Sequence, residues 1–222
     1  LSREHLISAA LRSRRRLDVD VIDVLQLHPV PEDGAQTEEA LDALEELKTR
    51  RVCRLVGASV GAATEDGLRL VRTGRLDVIQ VHYNLLQQGA AAELLDEAQS
   101  RGVGVIASIP LAYGFLGGRY TRSTRFPDDD WRSRLTADEV AARADCVAEL
   151  RFLCGDGTRS LLHAALQFVL AHPAVSTTIP GFKSAEQVEE LVAAPETALL
   201  SDIEVARARE LGRPAPRAAA RT

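Results

Sequence analysis

The chain has 222 residues, 45% apolar and 27% charged, the mixture of one soluble globular domain. A net charge of -5 provides no broad basic field for a nucleic-acid backbone, and no apolar run reaches the ~18 residues that a membrane span requires. The opening Leu1-Ser2-Arg3-Glu4-His5 lacks the regions of a signal peptide, and three scattered cysteines (Cys53, Cys146, Cys154) suit neither a disulfide framework nor a metal clip, so the expected compartment is the reducing cytoplasm.

Leu1 to Arg16 is predicted to be a helix. Val21 to His28 (VIDVLQLH) is a first strand, followed by a helix from Thr37 to Arg50 with Leu41, Leu44 and Leu47 at helical spacing behind a Thr N-cap. Cys53 to Ser59 is a second strand, Thr64 to Thr73 a short helix, Leu76 to Tyr83 a third strand, and Ala91 to Arg101 a helix closed by Gly102. Val103 to Ser108 is the fourth strand. A long insertion runs from Pro110 to about residue 156, punctuated by Gly114, Gly117, Gly118 and Pro127, with one helix from Thr136 to Leu153. Thr158 is expected to cap a helix through Ala171, Ser176 to Pro180 is the fifth strand, and Ser184 to Ala193 the closing helix. The folded domain is placed at 1–212, and the tail at 213–222 has nothing to bury and is expected to be disordered.

Apolar strands separated by helices are βαβ units on a parallel sheet, which fits both doubly wound folds and (β/α) barrels. The polar residues decide between them. His28, Ser59, Gln80 and Ser108 each lie at or near the C-terminal end of a strand, where a barrel gathers its active site, and no Gly-rich turn follows the first strand. At roughly 30 residues per unit, a barrel of about 250 residues has eight strands. Five are visible here. The expectation is therefore a (β/α)8 TIM-barrel type with about three strands missing, which agrees with the absence of any methionine: residues upstream of Leu1 are expected to have been lost.

Lysine occurs only at Lys48 and Lys183, so a lysine at a site stands out. In Ile179-Pro180-Gly181-Phe182-Lys183-Ser184 a strand ends in Pro-Gly, a lysine and a serine follow, and a helix begins. That is either an anion site made of helix N–H groups, a hydroxyl and a point charge, or a capped surface helix with a solvated lysine. Ile109 to Tyr120 (IPLAYGFLGGRY) has glycines that let main chain approach phosphate oxygens, with Arg119 adding charge. Phe126 to Arg134 (FPDDDWRSR) reads either as a polar lid or as a solvated acidic loop with Trp131 packed beneath it. His82, His163 and His172 read as solvent-facing or packed.

The strand ends in order, LQLH, VGAS, IQVHYN, VIASIPLAYGFLGGRY and TTIPGFKSAEQVEE, resemble the aldo/keto reductase family from Ser2 to Leu211. The resemblance implies a barrel that uses NADP without a Rossmann fold and reduces an aldehyde or ketone to an alcohol. It implies that His28 is the active-site histidine that hydrogen-bonds the carbonyl, and that Ser59 and Gln80 hold the nicotinamide carboxamide, with Ser108 standing where an aromatic residue usually stacks. Leu111, Gly114, Leu116, Gly118 and Arg119 would face the pyrophosphate. Ile179, Gly181, Lys183, Ser184 and Gln187 would take the adenosine 2′-phosphate, and Glu190 the adenine. Three positions depart from the family pattern: Val60 and Leu191 replace asparagines, and Ser108 the aromatic. The family's general-acid Tyr and its Asp and Lys partners lie on strands this sequence does not contain, so the chain alone is expected to be inactive. The alternative is a noncatalytic relative that binds NADP or a protein partner.

Overall fold

The computed structural model describes residues 2–31, 33–155, 157 and 159–212. The chain divides into two compact units, one formed by Leu1–His82 with Ala90–Ile106 and the other by Tyr83–Gly89 with Ala107–Thr222. The first holds α1 (Arg3–Leu17), β1 (Ile22–Leu27), α2 (Gly34–Thr49), β2 (Cys53–Gly61), α3 (Thr64–Arg72), β3 (Val78–His82), α4 (Leu94–Ser100) and the start of β4 (Gly104–Ser108). The second holds the end of β4, α5 (Ala137–Glu149), α6 (Leu161–Leu170), β5 (Val175–Ile179), α7 (Ala185–Val192) and α8 (Asp202–Leu211). The five strands form one parallel sheet in the order of the sequence, as the alternation of strand and helix requires.

In the first unit, the apolar stripe of α2 is Leu41, Leu44 and Leu47, all within 2% of complete burial, and each such leucine contributes about 1.5–3 kcal/mol. Val56 and Ala58 of β2 and Ile79 and Val81 of β3 are equally buried. Strand β2 is held close to β3 at Gly57, where a Cβ would lie 2.5 Å from the Val78 carbonyl oxygen. The pairing of β2 with β3 runs regularly to Ser59↔Gln80 and then slips, so that Gly61 opposes Val81. Val60 is the extra residue, and Gly61 takes the left-handed φ of 56° that follows it.

In the second unit, Tyr83, Phe168 and His172 form a buried ring cluster, with centroids 5.7 and 5.9 Å from that of Tyr83. Arg159, 6% exposed, donates to the carbonyls of Leu153 and Ala198 and pairs with Glu204, which ties α8 to the loops around α6.

Several boundaries differ from the sequence reading. Helix α2 starts at Gly34 because Asp33 is its cap, with Oδ1 accepting from the Ala35 N–H at 2.9 Å; Thr37 instead donates to the carbonyls of Pro31 and Asp33. The helix expected from Ala91 is a 3-10 turn (Gly89–Ala92) followed by α4. The insertion helix ends at Glu149 and tightens into a 3-10 turn over Leu150–Cys154. Helix α6 is capped by Ser160, whose Oγ accepts from the His163 N–H at 3.1 Å; Thr158 lies outside the described residues, as does the 213–222 tail. β1 ends at Leu27, so His28 is just past it. β5 is Val175–Ile179, since Pro180 has no N–H to continue a ladder. Helix α8 was not expected: only Val205 and Ala208 are buried on it, too few for a periodic signal, yet its capping box, Ser201 with Glu204, is legible in the sequence.

Candidate functional site

In the first unit, polar side chains join across three strands. Gln80 Nε2 donates to Ser59 Oγ at 3.0 Å, and Gln26 Nε2 donates to Gln80 Oε1 at 3.3 Å. Register explains both bonds: Ser59 pairs with Gln80, and Gln26 pairs with Gly57, which has no side chain to stand between β1 and β3. Gln26 Oε1 is buried without a hydrogen-bond partner, an acceptor left available to a donor. Sequence reading missed Gln26, although an amide inside the otherwise apolar VLQL run, two residues before His28, was a usable signal. His28 itself is exposed. His82, beside Gly61, is half-buried, and burial lowers its pKa below the usual histidine value. Val60 turns its side chain toward Gly67 of α3, so the departure from asparagine serves packing on the helix-covered side.

In the second unit, a cavity of about 880 Å3 is walled by three segments. The turn after β4 supplies Leu111, Tyr113, Gly114 and Arg119; the Phe126–Arg134 region supplies Asp129, Asp130, Trp131 and Arg132; the junction of β5 and α7 supplies Gly181, Phe182, Lys183, Gln187 and Glu190. Of the second-unit residues expected at a cofactor, Leu116, Gly118, Ile179, Ser184 and Ser108 do not form this wall. Leu116 is fully buried core, Gly118 closes the 3-10 turn and its carbonyl accepts from Arg151, Ile179 is half-exposed at the end of β5, and Ser184 caps α7. Ser108 is 6% exposed at the end of β4, its carbonyl accepting from the Tyr83 N–H.

The cavity wall carries charges of both signs in equal number. Lys183, Arg119 and Arg132 bring three cations to the wall, against Asp129, Asp130 and Glu190. Gly181 is not forced by packing: a Cβ there would meet nothing within 4 Å, which leaves open space at the cavity wall for a close approach. The turn is strained, with Ile109, Ala112 and Tyr113 at φ of 50°, 46° and 59°, conformations that cost of order 1–3 kcal/mol each and concentrate at binding sites. The start of α7 is partly self-satisfied. Ser184 Oγ accepts from the Gln187 N–H at 3.4 Å, and Gln187 Oε1 accepts from the Lys183 N–H at 2.7 Å, so an anion there competes with the Gln187 amide. The other lysine is structural: Lys48 of α2 binds both Asp77 oxygens at 2.7 Å.

Leu191 has a packing reason. It joins Leu162, Leu166 and Ala194 in an apolar cluster on which Leu111 rests, and Leu162 and Leu191 reach the cavity as its floor. His163 of α6 contacts the Glu190 carbonyl through Nε2 at 2.8 Å, anchoring the last turn of α7. Asp130 is held at a pKa of about 2, first by the side chain of Arg132, then by its backbone N–H, with the Lys183 charge adding to the effect. Trp131 packs on Tyr113 with centroids 4.7 Å apart, and both residues line the cavity.

Residues 1–213 match the sequence profile of the Aldo/keto reductase family. The chain belongs to the aldo/keto reductase family. This aldo/keto reductase chain is 29% identical over 219 residues to the L-glyceraldehyde 3-phosphate reductase of Escherichia coli strain K12, covering 93% of its own length and 62% of that protein. It is 30% identical over 207 residues to the L-galactose dehydrogenase of Arabidopsis thaliana, covering 87% and 58%. Among solved structures it superposes on the holo form of an aldo-keto reductase from Bacillus halodurans with a TM-score of 0.75 at 27% identity, covering 96% of this chain and 68% of that one. Its relatives thus include oxidoreductases, and it spans about 60% of the length of these two curated ones. The fold is α/β of the (β/α)8 TIM-barrel type, with five parallel strands carried by this chain. Among the described residues, no helix is long and apolar enough to cross a membrane, and no group of three or more His, Cys, Asp or Glu could hold a metal.

Proposed function

We propose that this chain acts within an NADPH-dependent reductase that converts an aldehyde or ketone to an alcohol, and that its second unit holds the phosphate-bearing end of the cofactor. The observation carrying this reading is the cavity of the second unit, where Lys183 and Arg119 meet an open glycine position at Gly181. NADPH, when bound, supplies hydride. Lys183 serves as a point charge for the 2′-phosphate, the strained turn after β4 with Arg119 faces the pyrophosphate, and Leu162 and Leu191 support the adenosine from below.

In the first unit, Ser59 and Gln80 fix an amide of the cofactor and thereby the ring face that reacts, a proximity effect. The hydrogen bond between them and the tie to Gln26 hold both groups in place, so little ordering is needed on binding. His28 hydrogen-bonds the carbonyl oxygen and helps the proton step there.

The cofactor assignment is tested by titrating NADPH and NADH against wild type and Lys183→Met. The substitution should weaken NADPH by about 1.5–3 kcal/mol, the value of a charge-assisted contact, and leave NADH nearly unchanged. Equal losses for both dinucleotides would remove Lys183 as the reader of the phosphate. In the full-length protein, tight NADPH binding with no turnover on a broad aldehyde and ketone panel would favour a noncatalytic binding role.

A further inference from the structure

Asn84 lies two residues past β3 and is fully buried. Its main chain exchanges two hydrogen bonds with Gln87, at 3.1 and 3.0 Å, in a tight turn. Its side-chain Oδ1 accepts from the Leu86 N–H at 2.9 Å, while Nδ2 donates to the Ile109 carbonyl at 3.1 Å and to Gln87 Oε1 at 3.3 Å. The amide fits only one way round, since the reverse would set an oxygen against the Ile109 carbonyl and an NH2 against the Leu86 N–H.

The carbonyl held by Asn84 belongs to a strained residue. Ile109, the first residue after β4, has a φ of 50°, a conformation that a β-branched side chain rarely adopts. One position earlier, the Ser108 carbonyl still accepts from a backbone group, the Tyr83 N–H at 3.4 Å. At Ile109 the chain turns, and its carbonyl takes Asn84 Nδ2 together with the Ala112 N–H at 2.9 Å. The turn leads into Leu111, Tyr113 and Gly114, which wall the cavity with Ile109. An extended Ile109 would direct those residues elsewhere, and the buried bond from Asn84 offsets the strain that keeps them in place.

We infer that Asn84, which does not itself line the cavity, is the positioning residue of this wall: by holding the Ile109 carbonyl it fixes the turn after β4 where that turn faces the pyrophosphate. The pyrophosphate part rests on the cofactor reading above; the placing of the turn does not.

Asn84→Ser keeps an oxygen for the Leu86 N–H but is too short to reach Ile109. In the full-length protein it should weaken NADPH about tenfold, the scale of one buried hydrogen bond, and adenosine 2′-monophosphate, which carries no pyrophosphate, by less than about twofold. Equal losses for the two ligands, or unchanged NADPH affinity, would overturn the assignment. Coupling to Ile109 separates positioning from general stability. Glycine takes a left-handed φ without strain, so in an Ile109→Gly background Asn84→Ser should weaken NADPH only about threefold. The full loss in that background would mean that Asn84 does not act through Ile109. If Asn84→Ser does not fold, Asn84→Asp, which keeps the shape and loses both N–H groups, replaces it in each comparison. Trp131, the only tryptophan, packs on Tyr113 of this turn, so acrylamide quenching of its fluorescence in ligand-free protein should rise in the Asn84 variant. Unchanged quenching would overturn the placing of the turn. If wild type does not bind NADPH, the cofactor reading fails, and the quenching still decides what Asn84 holds.

Discussion

In the first unit, the candidate side chains are placed by strand register: Ser59 sits opposite Gln80, and Gln26 reaches Gln80 because Gly57 leaves the space between them. In the second, they are placed by loops, with Arg132 tied to Tyr113 and Tyr120, and His163 to the main chain of Glu190. A register site is as rigid as its sheet and is disrupted by anything that moves a strand. A loop site depends on a few polar ties, each modest in energy, and can be loosened one contact at a time.

The comparison breaks most severely at Gly57. Gly57→Ala places a methyl 2.5 Å from the Val78 carbonyl oxygen, which main chain cannot easily yield, and should destabilise the fold by about 1–3 kcal/mol or more in a denaturant titration. An unchanged midpoint would mean that β2 and β3 are not held at this spacing. The second unit has no counterpart of this effect, because no single residue of its cavity sets the position of a whole strand.

Next in size is His28. In a full-length enzyme that reduces carbonyls, His28→Leu should lower kcat by about 100-fold or more, the usual scale for a positioned proton-handling group, with NADPH affinity nearly unchanged. Surviving turnover together with lost cofactor affinity would make His28 a pocket-shaping residue. The contrast with Lys183→Met then sharpens: one substitution should act on turnover and the other on the choice of cofactor.

The smallest effect is the acid limit of the loop site. Hydrogen bonds from Arg132 lower the folded pKa of Asp130 from 3.8 to about 2, and the charges facing it include Arg132, Lys183 and, along the same wall, Asp129. A depressed carboxylate pKa contributes stability that is complete above the unfolded value and is lost as pH falls through the folded one. Trp131 quenching should therefore stay constant from neutral pH down to about 4 and rise only toward about 2. A rise beginning between pH 6 and 5 would show that a different group controls the segment.

Much of the fold was legible in the sequence because hydrophobic period depends on near neighbours. Short β-rich runs such as VIDVLQLH gave strands, and Leu41, Leu44 and Leu47 gave a helical face. Helix starts were read where a capping side chain lies within three residues, as at Ser184, whereas the capping box of Ser201 with Glu204 was passed over. They were misread where two candidates competed, as at Asp33 and Thr37, because the choice depends on which backbone N–H groups the turn leaves free.

The sequence by itself determined the alternation of strands and helices, the order of the strands that carry Ser59, Gln80 and Ser108, and the lysine and glycine beside the start of α7; it placed strand ends at Ser59 and close to Gln80, whereas β2 runs on to Gly61 and Gln80 is central in β3. Only the tertiary structure decided which of these residues meet. Gln26 and Gln80 are 54 positions apart, His163 and Glu190 are 27 apart, and Arg132 and Tyr113 are 19 apart, and no local pattern links any of these pairs. Local propensity sets the direction in which each chain segment faces. The partner it meets there depends on the paths of the intervening loops and on where a missing side chain, as at Gly57 and Gly114, leaves room for a distant one to reach.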